Sequence, residues 1–319
     1  MLTLEGLASA EGRFTASTVC IGAFDGVHLG HQALINATVR DARAAGRSAV
    51  VLTFDRRPAE VVGVAEVPGY LTTPEQRARA FAACGADAMV VARFDEELRA
   101  TSPERFAEAV LAGTLRAGAV VVGQGFRYGR RQAGDINSLR TAGRRLGYDV
   151  VAVRPVLYEG VKVSSTRIRD LILGGAVSEA ARLLGRPFAL AGQVVAGQRI
   201  GRRLGYPTAN LQPSYRQVTP ADGVYACWAV WGGTRLPAAC GVGVRPTVGS
   251  GPRSIEAHVI GFDGDLYGCA MELEFVARLR GEQRFDSPDA LARQIGHDVQ
   301  AAIEALGAGM PAVPTTESS

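Results

Sequence analysis

The strongest constraint on the fold is a change of rhythm along the chain. Up to Val156, short apolar runs alternate with stretches of helical periodicity. The runs STVCIGAF, SAVVLTF, ADAMVVARF, AGAVVVGQGF and YDVVAVRPV read as buried strands. Between them lie GHQALINATVRDARAAG, TPEQRARAFAACG, SPERFAEAVLAG and NSLRTAGRRLG, which read as helices. Thr73, Pro74 and Gln76 form a capping-box start for the second helix, and Ser102-Pro103 starts the third. Five strands joined by helices predict a parallel sheet covered on both faces. In such a sheet ligands bind beyond the carboxyl ends of the strands.

Past EAARLLGRPFAL the rhythm changes. LAGQVVAG, GVYACWAVWGG, TRLPAACGVGV, SIEAHVIGF and CAMELEFVARL follow one another with Gly- and Pro-containing turns. In MELEF, Met271, Leu273 and Phe275 alternate with Glu272 and Glu274, the pattern of a strand with one face buried. Closely spaced strands of this kind predict a small antiparallel barrel. A helix, SPDALARQIGHDVQAAIEAL, returns only at the end, capped by Ser287. The fold class is therefore α/β followed by β, with a boundary near Gly185. Residues 1–184 and 185–308 are the expected domains, and 309–319 an expected disordered tail.

Composition excludes several classes. Of 319 residues, 47% are hydrophobic and 21% charged, with a net charge of +4 and no basic tract, so no nucleic-acid partner is expected. No run nears the roughly 18 apolar residues of a membrane span, and no signal peptide is evident, so a cytoplasmic location is expected. The five cysteines are scattered and never spaced as Cys-x-x-Cys, which fits a reducing compartment. Lys162 is the only lysine and no Gly-Lys-Ser/Thr occurs, so a P-loop is ruled out.

Two stretches carry chemistry in the first half. GAFDGVHLGH spans a strand-to-helix turn and holds two of the four histidines. His28 and His31 lie one helical turn apart, and Gly22, Gly26 and Gly30 let backbone approach a ligand. The pair can donate to phosphate oxygens at a helix start; a metal site is the rival, with a thin ligand set. VSSTRIRDLI places Ser165, Thr166 and Arg169 at a second helix start, either as a plain cap or as a phosphate cradle.

GAFDGVHLGH together with VSSTRIRDLI resembles the signature of the nucleotidyltransferase superfamily. In the second half GRRLGYPTANL resembles the Pro-Thr-Ala-Asn motif of riboflavin kinases, and GVYACW, GVRPTVG, IEAHVIGFDGDLYG and LRGEQRFDS follow in that family's order. Over nearly the whole chain the sequence is similar to bifunctional riboflavin kinase/FAD synthetases. The resemblance implies a Rossmann-like nucleotidyltransferase domain followed by a β-barrel kinase domain. It implies phosphorylation of riboflavin to FMN by ATP, then adenylylation of FMN to FAD with release of pyrophosphate. His28, His31 and Arg169 would stabilise the adenylyl transition state, with ATP held by Gly22, Phe24, Gly30, Ser165 and Thr166. Gly201, Gly205 and Thr208 would bind ATP in the kinase, Thr208 and Asn210 would hold Mg²⁺, and Glu256 would be the general base. Oligomeric state is left open.

Three places depart from the family's pattern. Arg56 and Arg57 replace a Pro-His pair, Gly125 replaces a carboxamide or carboxylate, and Gly241 replaces an Asn. Two further readings therefore stand beside the bifunctional one. One is a riboflavin kinase with a weakened adenylyltransferase; the other is a non-catalytic flavin-binding regulator.

Overall fold

A computed structural model describes residues 1–57, 60, 69–197, 201, 204–244 and 253–307. The described residues divide into two compact units. The first takes 1–57, 60 and 74–164; the second takes 69–73 and 165–307.

The first unit is built on a six-stranded sheet whose pairings are all parallel. Its strands are β1 (Leu2–Glu5), β2 (Ser17–Ile21), β3 (Ser48–Phe54), β4 (Ala88–Ala92), β5 (Ala117–Gly123) and β6 (Asp149–Val153), in the order β1-β4-β3-β2-β5-β6. Five of these are the expected strands; β1 is an addition. It lies at the sheet edge with only Leu4 buried, so it lacks the apolar run that marks the others. β2 and β4 are buried at every position, as central parallel strands must be when helices cover both faces. In register, Val19 lies beside Val50 on one side and Val120 on the other. The chain leaves β2 toward β3 and later returns to β2's other side as β5. That makes the end of β2 a topological switch point, where crevices open in such sheets.

The helices follow their caps. α1 (Leu29–Ala44) starts at His28, and α2 (Pro74–Ala83) starts at a proline. α3 (Glu96–Ala100) is capped by Asp95, and α4 (Pro103–Arg105) by Ser102. α4 widens into a π-helical segment, Phe106–Thr114, that closes with Leu115 N–H on Val110 O. In α5 (Ile136–Leu146) Asp135 and Ser138 form a reciprocal capping box, and Gly147 at φ +83° ends the helix. A short hairpin, β7 (Leu157–Tyr158) and β8 (Val161–Lys162), precedes the second unit.

The second unit opens with α6 (Ser165–Leu173) and α7 (Val177–Leu184). A closed antiparallel barrel follows, of β9 (Phe188–Val195), β10 (Ala209–Pro213), β11 (Gly223–Trp231), β12 (Thr234–Val244), β13 (Arg253–Val259) and β14 (Ala270–Arg280). Five strands match the expected ones; β10 is the sixth and begins at the end of the GRRLGYPTANL stretch. Alternate residues fill the barrel: Phe188, Leu190, Tyr225, Cys227, Leu273 and Phe275 are at most 1% exposed. Burial pushes the Cys227 thiol well above its ordinary range, and the Cys20 thiol of the sheet core up to about 12. Both act as small apolar residues. α6 and α7 pack with the barrel: Ser178 Oγ donates to Val276 O at 2.7 Å, and Ala221 N to Ile172 O at 3.3 Å. α8 (Pro288–Gly307), capped by Ser287 Oγ at 3.2 Å, covers the barrel's outer face through Ala302 and Leu306. The expected tail 309–319, Arg202, Arg203 and most of GVRPTVG lie outside the described residues.

Candidate functional site

The loop from Gly22 to His28 leaves β2 at the switch point. Phe24 and Val27 have φ of +50° and +43°, so two non-glycine residues occupy the left-handed region on either side of Gly26. Such backbone persists only where its surroundings enforce it. Phe24 is fully buried, its ring edge-on to His31 at 5.1 Å and to Phe81 at 5.5 Å. The turn ends at His28, which caps α1: its Nδ1 accepts from His31 N–H at 3.3 Å. Because Nδ1 accepts, the neutral ring carries its proton on Nε2. The two imidazoles stack with centroids 3.6 Å apart and 15° between planes. Gly22 and Gly30 sit close under the rings: a Cβ on either would meet the Phe24 or His28 ring at 3.2 Å, so the ring would have to shift by a few tenths of an ångström. His28, His31, Gly22, Phe24 and Gly30 thus form one constellation.

Two features beneath this loop escaped the sequence reading. Arg57 is buried and reaches Asp25 at 3.4 Å and Glu60 at 2.8 Å. Arg77 is buried too, and its Nη1 donates to Ala23 O at 3.2 Å and Phe54 O at 3.3 Å. In the sequence Arg57 stands out only as a departure from the family's Pro-His pair, and Arg77 not at all; the partners of both come from contact in three dimensions. Arg56, by contrast, is exposed and, among the described residues, pairs with its neighbour Asp55. Gly125 takes φ +121°, a conformation that strains any side-chain-bearing residue, although open space surrounds it.

Ser165 and Thr166 form the first turn of α6, and Arg169 follows one turn later. Arg169 is buried, with Nε donating to Gly69 O at 3.1 Å. These three belong to the second unit, the histidines to the first.

On the barrel, a cavity of about 660 Å³ lies on the outer face of β11, β12, β13 and β14. That is within the range of about 300–1,000 Å³ common to small-molecule sites. Small residues of β12 (Ala239, Gly241, Gly243) floor it, and Glu282, Arg280 and Phe285 wall it. Thr208 and Glu256 meet here: Thr208 Oγ1 donates to Glu256 Oε2 at 3.3 Å. The strand pairing causes this, because Asn210 of β10 lies opposite Glu256 of β13. Gly201 lets the chain fold back, accepting from Leu204 N–H at 3.0 Å and Tyr206 N–H at 2.8 Å, and Gly205 turns at φ +84°. His258, two residues after Glu256 on the same face, bonds through Nδ1 to Pro207 O at 2.8 Å. It pins the segment that carries Thr208 into β10, a role invisible in the sequence. At Gly241 a Cβ would meet only Glu256 O at 4.0 Å, so an open notch stands where the family pattern has Asn. Thr208, Asn210 and Glu256 supply oxygen donors only, which suits a hard divalent cation.

Comparison with known proteins finds two family models in succession along the chain. The FAD synthetase family model matches residues 11–167 and the riboflavin kinase model residues 184–306. The bifunctional riboflavin kinase/FMN adenylyltransferase of Escherichia coli K12 is 36% identical over 92% of this chain and 93% of its own. That of Pseudomonas fluorescens is 37% identical over 95% of this chain and 97% of its own. A crystal structure of a Streptococcus pneumoniae protein named a macrolide-efflux protein superposes with TM-score 0.86 at 29% identity, covering 95% of this chain and 99% of that one. Among the described residues of this chain, no helix is long and apolar enough to cross a membrane. With both family models matched in order and full-length relatives above 30% identity, the chain belongs to the bifunctional riboflavin kinase/FMN adenylyltransferase family.

Proposed function

We propose that each unit's constellation carries one of the two activities, and that the chain makes FAD from riboflavin in two ATP-dependent steps. The observation that carries this reading is that each unit holds its own polar cluster. The stacked His28–His31 pair stands at the β2 switch point, and the Thr208–Glu256 pair stands in the barrel cavity. The adenylyltransferase spans 1–184 and the kinase 185–308.

In the kinase, Glu256 takes the proton of the ribityl hydroxyl as its oxygen attacks the γ-phosphorus of ATP. Thr208 orients that carboxylate by donating to it. Gly201 and Gly205 leave backbone amides free to approach the ATP phosphates. Thr208 and Asn210 would hold Mg²⁺, which neutralises charge on the phosphates when bound. In the adenylyltransferase the FMN phosphate oxygen attacks the α-phosphorus of ATP, and the bond to pyrophosphate breaks. His28, through Nε2–H, and His31 donate to the charge that grows on the phosphorus centre. Gly22 and Gly30 admit the nucleotide, and Phe24 backs His31 from the core. The five free cysteines fit a reducing compartment, the cytoplasm.

The test is chromatographic separation of flavins from reactions started with riboflavin or with FMN. Glu256→Gln should abolish FMN formation and leave FAD formation from supplied FMN intact. His28→Ala should do the reverse, with at least about a hundredfold loss of FAD formation, the scale of a lost oxyanion donor. Wild-type protein that accumulates FMN without FAD would favour the kinase-only reading. Full kinase activity in Glu256→Gln would remove Glu256 from its role.

A further inference from the structure

Arg77 of α2 is 4% exposed, yet among the described residues no carboxylate lies within ion-pair reach of it. Its Nη1 donates only to neutral oxygens: Ala23 O, Phe54 O and, at 3.5 Å, Thr53 Oγ1. Its Nε has no acceptor. Thr53 Oγ1 donates to the same Ala23 carbonyl at 3.3 Å. A buried guanidinium held this way is a poor device for stability, because desolvating the charge outweighs what neutral acceptors return. Its location is specific, however. Ala23 is the last residue before the left-handed turn Phe24–Val27, and Phe54 ends the neighbouring strand β3. Arg77 therefore ties the root of the turn to β3, while Arg57 ties its middle through Asp25. The turn's far end is His28, whose ring orientation follows from the path of the backbone that reaches it.

We propose that Arg77 is a positioning residue for adenylyl transfer: it fixes Ala23 against β3 so that the strained turn delivers His28 in its capping, phosphate-facing orientation. The proposal rests on the reading of His28 given above. A group displaced by about 1 Å from a reacting centre loses rate out of proportion to its stability effect, up to about a hundredfold.

The full chain carrying Arg77→Met, Arg77→Lys, His28→Ala and the double substitution Arg77→Met/His28→Ala is assayed for FMN adenylylation, riboflavin phosphorylation and thermal melting. Arg77→Met should lower kcat for FAD formation at least about tenfold, with KM for ATP moved by less than about threefold. Melting should hold or rise, since an apolar residue of similar length removes an unneutralised buried charge. Riboflavin phosphorylation should not change. Arg77→Lys should recover part of the rate by donating to Ala23 O. In the His28→Ala background, Arg77→Met should lower the rate by less than about twofold, because residues acting as one unit are not additive. Full additivity, an unchanged kcat in Arg77→Met, or a large fall in melting temperature overturns the proposal. If Arg77→Met does not fold, Arg77→Lys and Thr53→Val decide, and wild-type kcat in both overturns it. A silent His28→Ala beside a damaged Arg77→Met would refute the His28 role and, with it, the proposed route. Damage in His28→Ala beside a silent Arg77→Met refutes only the positioning.

Discussion

A methyl group placed on Gly30 would lie 3.2 Å from both Cε1 and Nδ1 of His28. The backbone there is helical, so alanine suits the helix better than glycine by about 1 kcal/mol. The two effects act on different quantities. Gly30→Ala should leave melting unchanged or slightly raised while displacing the His28 ring. FMN adenylylation should fall at least about tenfold, with riboflavin phosphorylation unaltered. An unimpaired FAD yield in flavin chromatography would show that the ring can move without consequence. At this scale the sequence was informative where spacing along one element decides geometry, as for His28 and His31 one turn apart. It was silent where partners come from different elements. Asp25 and Arg57 are 32 positions apart, Ala23 and Arg77 54, and Pro207 and His258 51.

Asp298 of α8 accepts from Arg280 of β14 through both oxygens, at 2.8 and 2.7 Å, and from Gln294 at 3.0 Å. Its side chain is 8% exposed, and Arg280 also reaches toward the Phe285 ring at 5.8 Å. The pair links the helix to the wall of the barrel cavity. Asp298→Ala would leave the half-buried Arg280 guanidinium without its carboxylate, with Gly281 O still accepting from it, a change that destabilises by about 1–3 kcal/mol. A shift of that size in urea unfolding should be accompanied by a raised KM for riboflavin and an unchanged rate of FMN adenylylation. Unaltered urea unfolding would count against the pair. Most elements were legible, because caps and periods are local properties: Ser102-Pro103, Ser287-Pro288 and Gly147 mark helix ends in the sequence and in the structure. The four strands not foreseen are short, and two of them, β7 and β8, have two residues each. β1 buries one residue, and β10, five residues ending at Pro213, is too brief to establish a period.

The change of period at Gly185 and the division of packing after Ser164 fall at different places in the chain. α7 lies between them and buries Val177, Ala180, Ala181, Leu183 and Leu184 within the second unit. Exposing a buried Val or Leu costs about 1.5–3 kcal/mol, so removing this helix should be felt by the barrel. A fragment spanning 165–307 should melt at a clearly higher temperature than one spanning 185–307. Equal melting temperatures would mean that the barrel and α8 suffice. A helix that reads as the close of one domain can thus stabilise the next, since periodicity records which face is apolar but not what covers it.

By itself, the sequence determined the elements and the class of fold. The switch from helix-separated strands to closely spaced ones is a property of residue order, and it requires a parallel sheet and then a barrel. It also singled out the candidate residues for chemistry, through the spacing of His28 and His31 and the run from Pro207 to Asn210. The tertiary structure decided what those residues rest on. Arg77 and Arg57 beneath the histidine turn, Glu256 opposite Asn210, and the packing of α7 on the barrel depend on contacts between distant segments. Such contacts exist only once the chain has closed on itself, and no local period encodes them.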